Sequence, residues 1–175
     1  MAILARKRDA DIDRSRISVP DNRGVKIVKT CTINRSPQEL FQFWRRFENL
    51  PQVMEHVISV EQLSEKESHW VASTGKKKFE WNSLVINEHP NELIAWRTLD
   101  GSDVMHAGSV RFTPVAGTNS TEVTVQFEYE PPAGKVGVLF AKLFGKEPGR
   151  QVEKDLEQFK TFMETGETQI GKSTL

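Results

Sequence analysis

Apolar and polar positions alternate with a period of two through VKIVKTCTIN (25–34). Val25 and Ile27 fall on one face and Val28 and Thr30 on the other, the pattern of a strand. The period then lengthens. In SPQELFQFWRRF (36–47), Leu40, Phe43, Trp44 and Phe47 share one stripe of a helix. Its start carries complete signals: Ser36 can cap, Pro37 suits the first helical position, and Glu39 can close a capping box. Leu50-Pro51 ends this helix and opens a short second one bearing Val53, Met54 and Val57.

From about residue 57 to 130 the period returns to two. Candidate strands span 57–63, 68–74, 77–88, 92–99, 103–114 and 121–130. Turn signals separate them: Ser73-Thr74-Gly75, His89-Pro90-Asn91, Asp100-Gly101 and Gly117-Thr118-Asn119. Connections this short favour antiparallel hairpins over parallel crossovers. The last strand is the clearest, with Val123, Val125, Phe127 and Tyr129 on one face and Glu122, Thr124, Gln126 and Glu128 on the other.

Pro131-Pro132-Ala133-Gly134 closes the sheet, and a long helical region follows in two parts separated at Gly145, Pro148 and Gly149. VGVLFAKLF (136–144) is apolar around most of its circumference. Beyond the break, Val152, Leu156, Phe159 and Met163 form a narrow stripe among Lys and Glu, so that part lies on something.

One strand, two short helices, six strands and a long terminal helix make an α+β chain. An apolar sheet face of this size needs a cover, and the terminal helix is the element long enough to supply it. A curved sheet wrapped around one helix leaves a space between them, the natural ligand site. Three regions are expected: a mobile charged arm (1–24), the folded domain (25–167) and a polar tail (168–175).

Composition narrows the picture. A chain of 175 residues suits one domain that needs neither disulfide nor metal to hold its core. With 24 Lys+Arg against 24 Asp+Glu there is no basic excess, so nucleic acid is not an expected partner. Cys31 is the only cysteine and sits in an apolar-polar alternation, which reads as an inert thiol in a reducing compartment. The start has no secretory pattern and no apolar window reaches membrane-spanning length. A cytoplasmic protein with no transmembrane segment is expected.

Most chemical motifs fail. GETQIGKS (166–173) satisfies the phosphate-loop pattern, but that mechanism needs a strand before it and a helix after it, and here a helix precedes it. His56, His69, His89 and His106 lack metal-ligand spacing, so neither metal nor cofactor is expected.

Three features survive. Phe79, Trp81, Trp96, Phe112 and Phe127 fall on the presumed concave face, as plain core or as the lining of an apolar ligand site. Phe43 and Met54 from the helical segment, and Phe140 and Phe144 from the later one, join them as candidate ligand contacts. The second feature, Val136–Phe144, is either a buried helix start or a lip able to touch a membrane transiently. The third is the polar set His106, His56 and Arg97: a neutral histidine could exchange a proton near pH 7, so His106 and His56 are the catalytic candidates. Against this, His106 suits a hydrogen-bonded interior site and Arg97 a solvated sheet face. Lys76-Lys77-Lys78 reads as an exposed strand start.

Register decides the fate of two of these in IAWRTLDGSDVMHAGSVRF (94–112). A two-residue turn at Asp100-Gly101 would set Trp96 opposite Met105 and expose it. A three-residue loop sets Trp96 opposite His106, puts Ile94, Trp96, Val104, His106, Val110 and Phe112 on the concave face, and turns Arg97 outward. Burying a large apolar side chain is worth about 1.5–3 kcal/mol, which selects the longer turn.

The order of elements, with FQFWRRFENLPQVMEHVISVEQL, FEWNSLVINEHPNELIAWRTLDG, AGSVRFTPVAGTNSTEVTVQFEYEPP and LFAKLFGKEPGRQVEKDLEQFKTFMETGE, resembles the SRPBCC (START-like, helix-grip) superfamily, in its bacterial polyketide cyclase/dehydrase-like and coenzyme Q-binding branch. The resemblance spans roughly residues 25–167. It implies a curved antiparallel sheet of seven strands gripping the C-terminal helix over a deep, mostly apolar cavity. It also implies binding or carriage of an apolar small molecule, such as a lipid, an isoprenoid quinone or a polyketide-like compound. The alternative is a cyclase or dehydrase acting in the same cavity. No catalytic set of that family matches here residue by residue, and members on this scaffold range from carriers to enzymes.

Overall fold

The computed structural model describes residues 24–75, 77–131, 134, 137–138, 141, 147–168 and 170. Seven strands form one antiparallel sheet: β1 (Val25–Ile33), β2 (Val57–Gln62), β3 (Glu67–Thr74), β4 (Lys77–His89), β5 (Leu93–Thr98), β6 (His106–Pro114) and β7 (Thr121–Tyr129). They lie in the order β1-β7-β6-β5-β4-β3-β2. From β2 to β7 every strand pairs with its successor, and β1 closes the far edge against β7 with Val25 opposite Tyr129 and Ile33 opposite Thr121. The link from β1 to β2 therefore crosses the sheet from edge to edge. It carries helix α1 (Pro37–Arg45) and a 3-10 helix (Phe47–Gln52). The last helix, α2 (Pro148–Thr165), lies beside them. This is the helix-grip α+β architecture.

Register irregularities between Val57 and Ser59 and between Val85 and Asn87 bend the strands that form the far wall. The concave side is filled by aromatic contacts between the layers. Trp44 of α1 meets Phe159 of α2 edge-on at 5.1 Å and Phe112 of β6 at 6.4 Å. Polar ties hold the end of α2 to the β1–α1 corner: the Glu164 carboxylate accepts from the Asn34 amide at 2.8 Å, and Arg35 Nη2 donates to the Glu164 carbonyl at 3.1 Å.

The start of α1 is as its residues dictate, with Ser36 and Glu39 forming a reciprocal capping box and Pro37 in the first turn. Its end is not. The α-helix stops at Arg45, one residue before Arg46 leaves helical geometry, and Phe47 belongs to the 3-10 helix. Pro51 lies inside that 3-10 helix, and Val57 opens β2 instead of continuing a helix.

The β5–β6 connection is longer than a three-residue loop. Trp96 pairs with Gly108 and Arg97 with Ala107, two residues beyond the expected register. The cause is β4, which outlasts β5 and captures the chain beyond it. The Leu99 amide donates to the Asn82 carbonyl at 2.8 Å, and the Asp103 carboxylate accepts from the Glu80 amide at 2.9 Å. A shift of two residues preserves which face each side chain takes. Ile94, Val104, His106, Val110 and Phe112 are buried and Arg97 is exposed.

Lys77 and Lys78 are exposed at the start of β4. The charged arm up to Arg23, most of Val136–Phe144 including Phe140 and Phe144, Lys76 and most of the polar tail lie outside the described residues, as does the end of the GETQIGKS string. No described helix is long and apolar enough to cross a membrane.

Candidate functional site

Between the sheet and the helices lies a cavity of about 160 Å³. The sheet supplies Trp70 and Ala72 from β3, Phe79, Trp81, Ser83 and Val85 from β4, Trp96 from β5, His106 from β6, and Val125 and Phe127 from β7. Opposite them stand Trp44 of α1, Phe47 and Leu50 of the 3-10 helix, Met54 and His56 after it, and Gln151, Val152, Asp155 and Leu156 of α2, with Val57 of β2 at the edge of the sheet. Val104 closes the β5–β6 side. All four tryptophans of the chain lie on this wall.

Alternation puts them there. Phe79, Trp81, Ser83 and Val85 are separated by two along β4, so they share a face. Trp70 pairs with Trp81 across β3 and β4, and their rings stack at 5.9 Å with 14° between planes. Trp81 meets His106 edge-on at 5.4 Å, and His106 lies 5.1 Å from Phe127.

The structure thus brings Met54, Phe79, Trp81, Trp96, His106, Phe127 and His56 to one cavity. It does not bring Phe43 or Phe112. Phe112 is 1 % exposed and its ring is enclosed by Phe41 at 6.0 Å and by Trp44. It fills the layer between β6 and α1. Phe43 packs against Phe159 at 5.6 Å and Phe162 at 5.2 Å of α2. Both are packing residues.

Polar groups interrupt the apolar wall in two places. His106 is 8 % exposed, and burial pushes its pKa down to about 3, so the ring is neutral near pH 7. The second place is the face of α2. Asp155 accepts from Gln151 Nε2 at 2.8 Å and from the backbone of Glu55. Burial outweighs those bonds and raises its carboxyl to about 7. Gln151 Oε1 lies 3.2 Å from His56 Nε2, so one amide links the imidazole to the carboxyl.

Gln151 and Asp155 carry no motif. A faint signal did exist: both stand one residue before members of the apolar stripe, at Val152 and Leu156, and so flank its buried edge. Among the described residues, no three His, Cys, Asp or Glu side chains gather as metal ligands would. The thiol of Cys31 is half-buried on β1, and burial raises its pKa.

Known proteins share this architecture. Residues 33–157 match the family model described as polyketide cyclase / dehydrase and lipid transport. An uncharacterised 17.2 kDa protein of Streptomyces lincolnensis is 30% identical over 143 residues, covering 79% of this chain and 89% of its own. A crystal structure from Deinococcus radiodurans is 30% identical, with a TM-score of 0.66 over 82% of this chain and 99% of that one. An aromatase/cyclase from Streptomyces sp. R1128 has the same fold at 11% identity, with a TM-score of 0.64 over 83% of this chain and 99% of its own. A START superfamily protein from Mycobacterium smegmatis does so at 17% identity, with a TM-score of 0.61 over 79% and 98%.

Proposed function

Because this chain belongs to the polyketide cyclase/dehydrase and lipid transport family within the SRPBCC superfamily, we propose that it binds an apolar small molecule between the sheet and α2. The observation carrying this reading is the wall itself, which is almost entirely carbon and includes Trp44, Trp70, Trp81 and Trp96. An interior space lined this way gains little from water, and apolar contact with a ligand replaces missing packing.

The volume limits the ligand. An engineered apolar cavity of about 150 Å³ takes benzene, whereas sites for larger ligands run to about 300–1,000 Å³. At about 160 Å³ this cavity suits a body of one ring. Of the lipid, quinone and polyketide-like ligands in view, a ring-bearing one fits best, its ring inside and any chain leading out.

Titration with ethylbenzene, followed by tryptophan fluorescence, tests the reading. Saturable change is expected because every tryptophan borders the cavity. A linear, unsaturable response would refute it. Native mass spectrometry of the purified protein would reveal a ligand carried through purification.

One observation favours the enzymatic alternative, a cyclase or dehydrase. Asp155, raised to about 7, borders the same cavity as neutral His106. A carboxyl that titrates near working pH suits proton transfer to a bound ligand. That reading requires Asp155→Asn to retain ligand affinity while abolishing turnover. The same variant leaving turnover intact would remove its main support.

A further inference from the structure

Resting on the apolar-ligand reading, we infer that the N-terminal half of α2 is a lid on the cavity, clasped shut by Asp155 while that carboxyl holds a proton and released when the proton leaves. Three side chains of α2 reach one short segment between the 3-10 helix and β2. Gln151 Oε1 lies 3.2 Å from His56 Nε2, Lys154 bonds to the Glu55 carboxylate, and Asp155 accepts from the Glu55 backbone. Met54 and His56 on one side of this seam, and Gln151, Val152 and Asp155 on the other, all border the cavity. Parting the seam therefore opens the space between the sheet and α2.

The two ends of α2 are held differently. Its last turns are anchored to β1 and the β1–α1 corner: Glu164 takes bonds from Asn34 and Arg35, and Lys160 Nζ donates to the Thr32 carbonyl at 2.7 Å. Beyond the clasp, its first turns are tied to the sheet, among the described residues, by the Lys29–Glu153 pair at 3.3 Å. That pair is largely open to water, which leaves it weak. The segment facing α2 belongs with the sheet, because the His56 carbonyl accepts from the Ser73 amide of β3 at 2.9 Å. The helix is thus fixed near Glu164 and free to swing near Gln151 once the clasp yields.

Charge makes the clasp depend on a proton. The bonds to Asp155 come from neutral donors, the Gln151 amide at 2.8 Å and the Glu55 backbone. Lys154, the one cation acting on it among the described residues, already bonds to the Glu55 carboxylate, and that carboxylate repels an ionised Asp155. Glu153 turns away to Lys29, His56 is linked through Gln151, and His106 on the sheet wall is uncharged. A carboxylate placed here has to draw water, and the carbon wall supplies none, so water enters through the seam. The carboxylic acid needs no such hydration. Burial lifts this carboxyl to about 7, which sets the clasp to change state near neutral pH. An apolar occupant excludes the same water, so filling the cavity and protonating Asp155 favour one another.

Calorimetry with ethylbenzene on the full chain, at about pH 6 and about pH 8, tests the clasp. The wild-type Kd is expected to rise about tenfold over that range, as the share of closed, protonated molecules falls. Asp155→Asn keeps an uncharged acceptor for both donors, so its Kd should change less than about twofold. Release of ethylbenzene, followed by stopped-flow tryptophan fluorescence, should accelerate in the wild type over the same range and not in the variant. A pH effect that persists in Asp155→Asn, or none in the wild type, overturns the clasp while the apolar cavity stands. Weaker binding with unchanged release overturns the lid. Absence of binding at both pH values refutes the cavity reading itself. If the variant does not fold, the NMR signal of the Glu55 amide decides in the wild type. It is expected to move with pH at the midpoint of the affinity change, and a different midpoint overturns the proposal.

Discussion

Trp96 covers Gly108: the two stand opposite one another across β5 and β6, and a Cβ placed on Gly108 would come within 2.6 Å of Cζ2 of the indole. The same Cβ would lie 2.8 Å from the Gln126 carbonyl, so it has no direction in which to escape. The absence of a side chain at 108 thus sets the position of a ring that borders the cavity. Gly108→Ala should destabilise the fold by about 1–3 kcal/mol, as overpacking does. It should also displace Trp96 and weaken ethylbenzene binding. Adding Trp96→Leu should recover part of the lost stability, a coupling that urea denaturation of the two single variants and the double variant would reveal. Strict additivity would mean that the Gln126 backbone, and not the ring, takes the strain.

Asp155 and His106 give stability opposite responses to pH. The raised Asp155 carboxyl stays protonated in the fold while the unfolded chain ionises. Its contribution is complete below about pH 4 and is lost as pH rises through about 7. The depressed His106 behaves conversely: its contribution is present above about pH 6.5 and is lost as pH falls toward 3. Gln151 and Lys154 on α2, with Glu55 opposite, act on Asp155, and Gln151 in turn bonds to His56. Asp155→Asn removes only the first contribution. The stability of this variant relative to wild type should therefore rise between pH 4 and 7, by on the order of 2 kcal/mol once partial solvent exposure is allowed for. Denaturation at a series of pH values checks it, and a pH-independent difference would place Asp155 in water.

Strand identities, faces and the capping box were legible in the residues because each depends on local spacing. Period two fixes which side of β4 carries Phe79, Trp81 and Ser83, and the S-P-Q-E string fixes where α1 begins. Distances between elements were not legible. Phe112 shares the concave face with Trp96, yet α1 lies over one and the cavity under the other, a distinction that depends on where α1 crosses the sheet. The β5–β6 register failed for a related reason. Asp103 looks like a residue of β6 in sequence, but it bonds to the overhanging end of β4. Asp155 was hidden in a run of charged residues on α2, where nothing local distinguishes it from its exposed neighbours Glu153 and Lys154.

The capping box of α1 holds more than a helix end. Ser36 follows the Asn34–Arg35 corner that receives Glu164 of α2, so fraying there loosens the grip of the last helix. Ser36→Ala should cost about 1 kcal/mol. Ser36→Asp, which retains an acceptor for the Glu39 amide, should recover most of it. Thermal unfolding of the two variants measures the difference, and equal losses would show that the bond from the Glu39 amide to the side chain at 36 contributes nothing.

Phe112 and Phe127 separate packing from binding. The Phe112 ring is enclosed by Phe41 and Trp44, with no face on the cavity, whereas Phe127 borders the cavity beside His106. Phe112→Ala should cost about 3–5 kcal/mol, because it leaves a hole in a layer that is already full. The molecules that remain folded should bind ethylbenzene as the wild type does. Phe127→Ala should cost less, because part of its surface already faces space. It should also shift ligand preference toward larger rings by enlarging the site. Titrations of both variants with ethylbenzene and a two-ring analogue decide the matter. A changed preference in Phe112→Ala would move the ligand from the sheet–α2 cavity toward α1.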